Sequence, residues 1–108
     1  MINAEEFARK AAEKNGWALN PDKDFLETVT TGLEASREAH GYFLCPCREG
    51  WGMRDRDRDI ICPCDYAGDD IEEYGHCYCG LFFSEERANT GEAAGSIPDR
   101  RPDELYPD

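Results

Sequence analysis

The sequence predicts a small, mainly α single domain with short extended segments, organised around a sulfur-bound centre. Three observations carry this expectation. All six cysteines lie between positions 45 and 79, in three Cys-x-Cys pairs. Two stretches with three- and four-residue apolar spacing precede them, within residues 3–41. A stretch rich in Gly, Pro and charge follows, over residues 84–108. The one domain thus reads as a helical N-terminal part (3–41), a cysteine core (42–83) and an irregular tail (84–108). At 108 residues it has no room for a second core.

The first helix begins at Asn3 as cap, with Glu6 at the capping-box position, and carries an apolar stripe of Phe7, Ala8, Ala11 and Ala12. Gly16 stops it. Trp17 and Leu19 then pack inward, and Asn20-Pro21 reads as a cap followed by proline at the first helical position. In the longer second helix Phe25, Leu26, Val29 and Leu33 share one face. Gly32 either weakens that helix or permits close packing. His40-Gly41 ends it, and Tyr42-Phe43-Leu44 leads into Cys45.

Residues 48–61 read as a polar connection ending in Ile60-Ile61. Trp51 and Met53 interrupt its polarity; ordinary packing is the expectation, a shield for the centre or a partner surface the alternatives. A short helix is expected around Asp69 to Tyr74, ended by Gly75. Leu81-Phe82-Phe83 is an apolar strand or extended segment anchoring the last cysteine pair. The tail is expected to run irregularly, attached at Ile97 and Leu105.

Composition narrows the function. Charged residues make up 33% and mean hydropathy is -0.76, so apolar burial is modest and a bound metal would add folding free energy. A formal charge of -12 argues against nucleic acid, whose binding needs Lys and Arg against phosphate. No apolar stretch approaches the ~20 residues needed to span a bilayer. Six cysteines in 108 residues fall below the roughly 8–10% of disulfide scaffolds, and no signal-like run follows Met1. The expectation is a soluble protein of a reducing cytoplasm.

A disulfide inside Cys45-Pro46-Cys47 or Cys62-Pro63-Cys64 would close a very small ring, restricted further by proline. The sulfurs are therefore expected to pair, or to bind metal, across segments. Four thiolates suffice for a zinc or iron–sulfur site, and two left over suggest a redox dithiol. Spacing alone does not choose the four.

The run Cys45-Pro46-Cys47-Arg48, the pairs Cys62-Pro63-Cys64 and Cys77-Tyr78-Cys79, the apolar Leu81-Phe82-Phe83, and the tail Gly95-Ser96-Ile97-Pro98-Asp99-Arg100-Arg101-Pro102 together resemble the catalytic (beta) chain of ferredoxin:thioredoxin reductase, prokaryotic type. The resemblance implies a [4Fe–4S] cluster held by Cys45, Cys62, Cys64 and Cys77, with Cys47 and Cys79 as the redox-active disulfide. It implies an oxidoreductase that takes single electrons from ferredoxin and reduces thioredoxin or a thioredoxin-like protein by dithiol–disulfide exchange. The family's photosynthetic members work with a variable subunit; whether this chain uses one, or self-associates, stays open.

Tyr78 departs from the family, which has His between the last two cysteines. His76 is the candidate catalytic replacement, against a purely structural reading; His40 has a weaker claim. Arg48, adjacent to Cys47, either favours the Cys47 thiolate or forms a surface salt bridge. With Arg54, Arg56 and Arg58 it forms a candidate docking patch, interleaved with Asp55, Asp57 and Asp59. The main alternative is a structural zinc module that binds another protein, although zinc pairs are usually spaced C-x₂₋₄-C. A secreted three-disulfide scaffold is the third reading.

Overall fold

A computed structural model describes residues 3–107. Helix α1 (Ala4–Asn15) starts where Asn3 accepts a hydrogen bond from the Glu6 N–H at 2.8 Å, and it ends at Gly16 in the left-handed region. The expected stripe is its inner face. Ala8 and Ala12 are buried, and their small size lets α1 lie close against the next helix, α2 (Lys23–His40). Glu34 of α2 accepts the Ala4 N–H at 2.5 Å, satisfying a donor that the first turn leaves open.

Strand β1 (Ala18–Leu19) follows and pairs antiparallel with β2 (Phe82–Phe83), Ala18 opposite Phe83 and Leu19 opposite Phe82. Helix α2 (Lys23–His40) is capped by Asp22, not by Asn20 as expected. Asn20 is occupied otherwise: buried, it donates to the Gly80 carbonyl at 2.9 Å and accepts from the Asp22 N–H at 2.8 Å. It thereby ties the start of α2 to the last cysteine turn. Val29 and Leu33 bury on the expected face, but Phe25 is 41% exposed. Its ring lies over Gly80, where a Cβ would stand 2.9 Å from the ring. The apolar pattern thus covers a neighbouring turn at that position instead of entering the core.

The connection after the first cysteine pair is more ordered than its polarity suggested. A single turn, α3 (Arg54–Asp57), runs into a 3₁₀ turn over Arg58–Ile60. Asp57 holds it: fully buried, it accepts from Tyr42 Oη at 2.8 Å, Trp51 N–H at 2.8 Å and Gly52 N–H at 3.0 Å. Trp51 is half-buried and donates through Nε1 to the Leu105 carbonyl at 2.7 Å, whereas Met53 is exposed. The packing expected of the pair therefore holds for Trp51 alone.

Helix α4 (Ala67–Tyr74) starts two residues earlier than expected and ends at Gly75. After β2 the tail forms a further helix, α5 (Glu85–Thr90), whose cap Ser84 accepts the Arg87 N–H at 3.0 Å. Beyond it the chain is irregular except for a 3₁₀ turn at Asp103–Leu105. Of the two apolar anchors expected, Ile97 is half-buried and Leu105 is not buried. Leu105 is exposed and accepts from Trp51 through its carbonyl, while Arg101 is buried and donates to Asp59 from Nε at 2.9 Å and Nη2 at 3.2 Å. Arg100 reaches Asp70 at 2.5 Å and also pairs with Glu73. Ion pairs fasten the tail because few apolar residues are available there.

Phe82, Phe83, Leu33, Ile60 and Leu81 form the centre of the core. Trp17 packs on Phe82 with ring centroids 5.1 Å apart, and Phe7 on Phe43 at 4.6 Å, so both helices and the sheet converge on the cysteine segments. The radius of gyration, 13.1 Å, matches the ~13 Å of a single domain near 100 residues. Among the described residues no helix is long and apolar enough to cross a membrane.

Candidate metal and dithiol site

An antiparallel bridge between Leu44 and Ile61 sets the first two cysteine pairs side by side. Cys45 N–H donates to the Ile60 carbonyl at 3.0 Å and Cys62 N–H to the Phe43 carbonyl at 2.7 Å. A second bridge, His76 to Phe83, places the third pair, with Cys77 N–H donating to the Phe82 carbonyl at 2.9 Å. Tight turns then aim the sulfurs. Arg48 N–H closes on the Cys45 carbonyl at 3.3 Å, Ala67 N–H on Cys64 at 3.1 Å, and Gly80 N–H on Cys77 at 2.9 Å. Gly80 has a φ of +76°, which side chains rarely tolerate. The Cys62–Pro63 peptide is cis.

Five sulfurs converge. Cys45, Cys62, Cys64, Cys77 and Cys79 line a small cavity, walled otherwise by Arg48, Ala67, Tyr78 and Phe82. Cys47 lies outside this lining and is the exposed cysteine of the six, all of which are free thiols. Cys79 is its buried neighbour. Its sulfur lies 3.8 Å from Cys77 Sγ, and sharing its single thiol proton with the neighbouring sulfurs pushes its own pKa well up and lowers those of Cys45, Cys47 and Cys77, the last two to about 7. Burial pushes Cys62 well above the usual thiol range and Cys64 to about 11. Among the described residues no three His, Cys, Asp or Glu side chains are arranged to hold a single metal ion.

Arg48 forms part of the cavity wall, and its side chain is fully buried. Nη1 lies 3.4 Å from Cys64 Sγ and 3.7 Å from Cys45 Sγ, while Nε pairs with Asp99 at 3.0 Å. The guanidinium carbon stands 4.3 Å from the Tyr78 ring centroid and 5.3 Å from that of Tyr66. Both sequence readings of Arg48 are thus partly met, the ion pair being buried and not on the surface. The expected arginine patch loses Arg48, while Arg54, Arg56 and Arg58 stay exposed. Arg54 lies against Tyr42, Arg56 against Trp51, and exposed Arg58 within 3.9 Å of Asp55.

His76 is buried with both ring nitrogens engaged. Gly95 N–H donates to Nε2 at 3.1 Å, so Nδ1 carries the proton and donates to the Cys77 carbonyl at 2.8 Å. This bonding joins the tail to the third turn and leaves no nitrogen free for proton transfer. His40 stacks on Tyr42 at 5.9 Å. Tyr78 faces Arg48, and burial pushes its pKa up. The sequence reading missed Asp57, Asp59 and Asp99 as fixing residues. Asp57 is buried, Asp59 half-buried and Asp99 exposed, and nothing in their polar stretches marks these carboxylates out from their neighbours.

Comparison with known proteins adds a family. The model for the ferredoxin thioredoxin reductase catalytic beta chain matches residues 1–99. No curated protein matches the chain significantly.

Proposed function

This chain belongs to the ferredoxin thioredoxin reductase catalytic beta chain family, and we propose that it reduces protein disulfides with single electrons delivered by ferredoxin. Cys45, Cys62, Cys64 and Cys77 would hold a [4Fe–4S] cluster. The donor set suits such a group: four of the five lining sulfurs would supply the ligands, and Phe82 N–H donates to Cys77 Sγ at 3.3 Å. Hydrogen bonds of this kind to sulfur are a usual feature of iron–sulfur sites. When bound, the cluster supplies storage for one electron between two deliveries, because ferredoxin gives electrons singly and a disulfide needs two.

The observation that carries the dithiol assignment is the contrast between Cys47 and Cys79. Cys47 is exposed and outside the cavity lining, whereas Cys79 is buried within it. In the resting enzyme the two would form a disulfide, and two electrons and two protons convert it to the dithiol. The Cys47 thiolate then attacks a disulfide of thioredoxin or a thioredoxin-like protein, forming a mixed disulfide and releasing one partner thiolate. Cys79 attacks Cys47 in turn, releasing the second partner thiolate and re-forming the Cys47–Cys79 bond. A thiol with a pKa of about 7 is well suited to begin this exchange near neutral pH. His76 holds the third turn to the tail and is assigned no part in proton transfer.

An ultraviolet–visible spectrum of anaerobically purified protein, with iron, zinc and sulfide assayed together, tests the proposal. Brown protein with about four irons and four sulfides per chain is the expected result. Colourless protein that holds one zinc, even after reconstitution with iron and sulfide, would overturn it in favour of a structural zinc module.

A further inference from the structure

We propose that Arg48 is a positioning residue that hydrogen-bonds the sulfurs of Cys45 and Cys64 and raises the reduction potential of the cluster they hold. The inference rests on the cluster reading above and concerns how this chain adjusts it. Arg48 directs its nitrogens differently from Arg101. Arg101 sends Nε and Nη2 to the single carboxylate of Asp59, as expected of a latch. Arg48 gives Asp99 only Nε and turns Nη1 to two cysteine sulfurs. Each arginine leaves one further nitrogen without a partner, so the direction of Nη1 is what separates them.

Three groups fix that direction. Asp99 holds the Nε edge, and the rings of Tyr66 and Tyr78 face the guanidinium carbon at 5.3 and 4.3 Å. A planar cation suits this setting, since it stacks on rings and donates in its own plane. Lysine does neither. The position between the last two cysteines therefore serves the arginine here: Tyr78 supplies a face, where its hydroxyl would be a poor acid–base group near neutral pH.

Reduction adds negative charge to an anionic group inside a chain of formal charge -12. A buried cation and its N–H groups at the ligand sulfurs favour the more negative state, and screening by water is weak there. Asp99 offsets part of that charge while holding the orientation.

The test compares wild-type holoprotein with Arg48→Gln and Arg48→Lys, measuring iron, sulfide, melting temperature and cluster midpoint potential under anaerobic conditions. Arg48→Gln is expected to lower the potential by a tenfold change in the one-electron equilibrium or more, about 59 mV. Arg48→Lys retains the charge but not the paired donors, and is expected to shift the potential in the same direction by less. Variants with full iron and sulfide and the wild-type potential would overturn the proposal, even if they melt earlier, since that is all a structural ion pair would do. Should Arg48→Gln fail to load iron, the potential of Arg48→Lys decides. Wild-type protein without iron and sulfide would overturn the cluster reading itself, and this proposal with it.

Discussion

The Arg48 guanidinium carbon lies 4.3 Å from the centroid of the Tyr78 ring, so the residue between the last two cysteines is engaged with a cation and not with a proton path. Tyr78→Phe keeps the ring. It is expected to slow disulfide reduction by less than tenfold, under about 1.4 kcal/mol of barrier. Tyr78→Leu removes the aromatic face and is expected to lower stability by a further ~1–2 kcal/mol. Reduction rates and denaturant melts of both variants provide the check. A large rate loss in Tyr78→Phe with unchanged stability would restore a proton-transfer role to the hydroxyl.

Cys47 is the exposed thiol and the one free to react. In cluster-free, fully reduced protein a brief pulse of iodoacetamide is expected to modify Cys47 first, as read by peptide mass spectrometry. Its lowered pKa means that the thiolate is present above about pH 7 and is lost below it, so the rate should rise through that pH and level off. The main cause of the lowering is the Cys79 hydrogen bond, with burial opposing it and Arg48 assisting. Cys79→Ala is therefore expected to move the midpoint of the rate profile upward. Modification of Cys62 or Cys64 ahead of Cys47 would contradict this order.

The ligand and dithiol assignments separate by substitution. Cys47→Ser and Cys79→Ser are expected to retain iron and lose disulfide reduction, because neither is counted among the four ligands. Cys45→Ser, Cys62→Ser, Cys64→Ser and Cys77→Ser are expected to lose iron. Iron per chain and turnover with a small disulfide substrate, measured on all six, decide the matter. Cys79 also lines the cavity, so Cys79→Ser is the sharpest of them: loss of iron there would exchange its role with that of another lining cysteine.

Local signals in the sequence were readable wherever one segment determines its own structure. Asn3 and Gly16 bracket α1 and Gly41 ends α2, because caps depend on neighbouring backbone alone. The three Cys-x-Cys pairs likewise announced a convergent sulfur site, and five sulfurs share one cavity. What the sequence concealed depends on distant partners. Asn20 does not cap α2, since its Nδ2 goes to the Gly80 carbonyl, sixty residues on, and its Oδ1 to the Asp22 N–H. Arg48 is buried because Asp99 and two tyrosines enclose it. Ser84 before Glu85-Glu86 was a local helix signal in the tail, obscured by the surrounding Gly and Pro content.

The tail latch gives a pH prediction. Burial alone would raise the Asp59 pKa, but hydrogen bonds from Arg101 and Tyr66 hold it below the ordinary carboxylate range. A depressed pKa contributes stability that is fully present above the unfolded value, about 3.9, and is lost as pH falls through the folded value. Arg101→Met leaves Asp59 without its cation and is expected to cost about 3 kcal/mol at pH 7. The difference from wild type should narrow below about pH 4. Urea melts of both proteins from pH 7 to pH 3 provide the measurement, and a pH-independent difference would mean that lost packing, not the charge pair, explains the cost.

Gly32 lies within α2, where replacing an exposed helical glycine by alanine usually stabilises by about 1 kcal/mol. Here the opposite sign is expected. A Cβ at Gly32 would stand 2.9 Å from Pro46 Cβ, and Pro46 is the residue between Cys45 and Cys47. The proline ring has no flexible end to move aside, so either α2 or the first cysteine turn must shift. Such overpacking typically costs about 1–3 kcal/mol, enough to exceed the propensity gain. Because the displaced turn carries both a proposed ligand and the exposed thiol, Gly32→Ala is also expected to reduce iron retention. Equilibrium unfolding and iron content of the variant test this together. A more stable Gly32→Ala protein with full iron would show that helix and turn are not pressed together, and that the glycine does not set the position of the first pair.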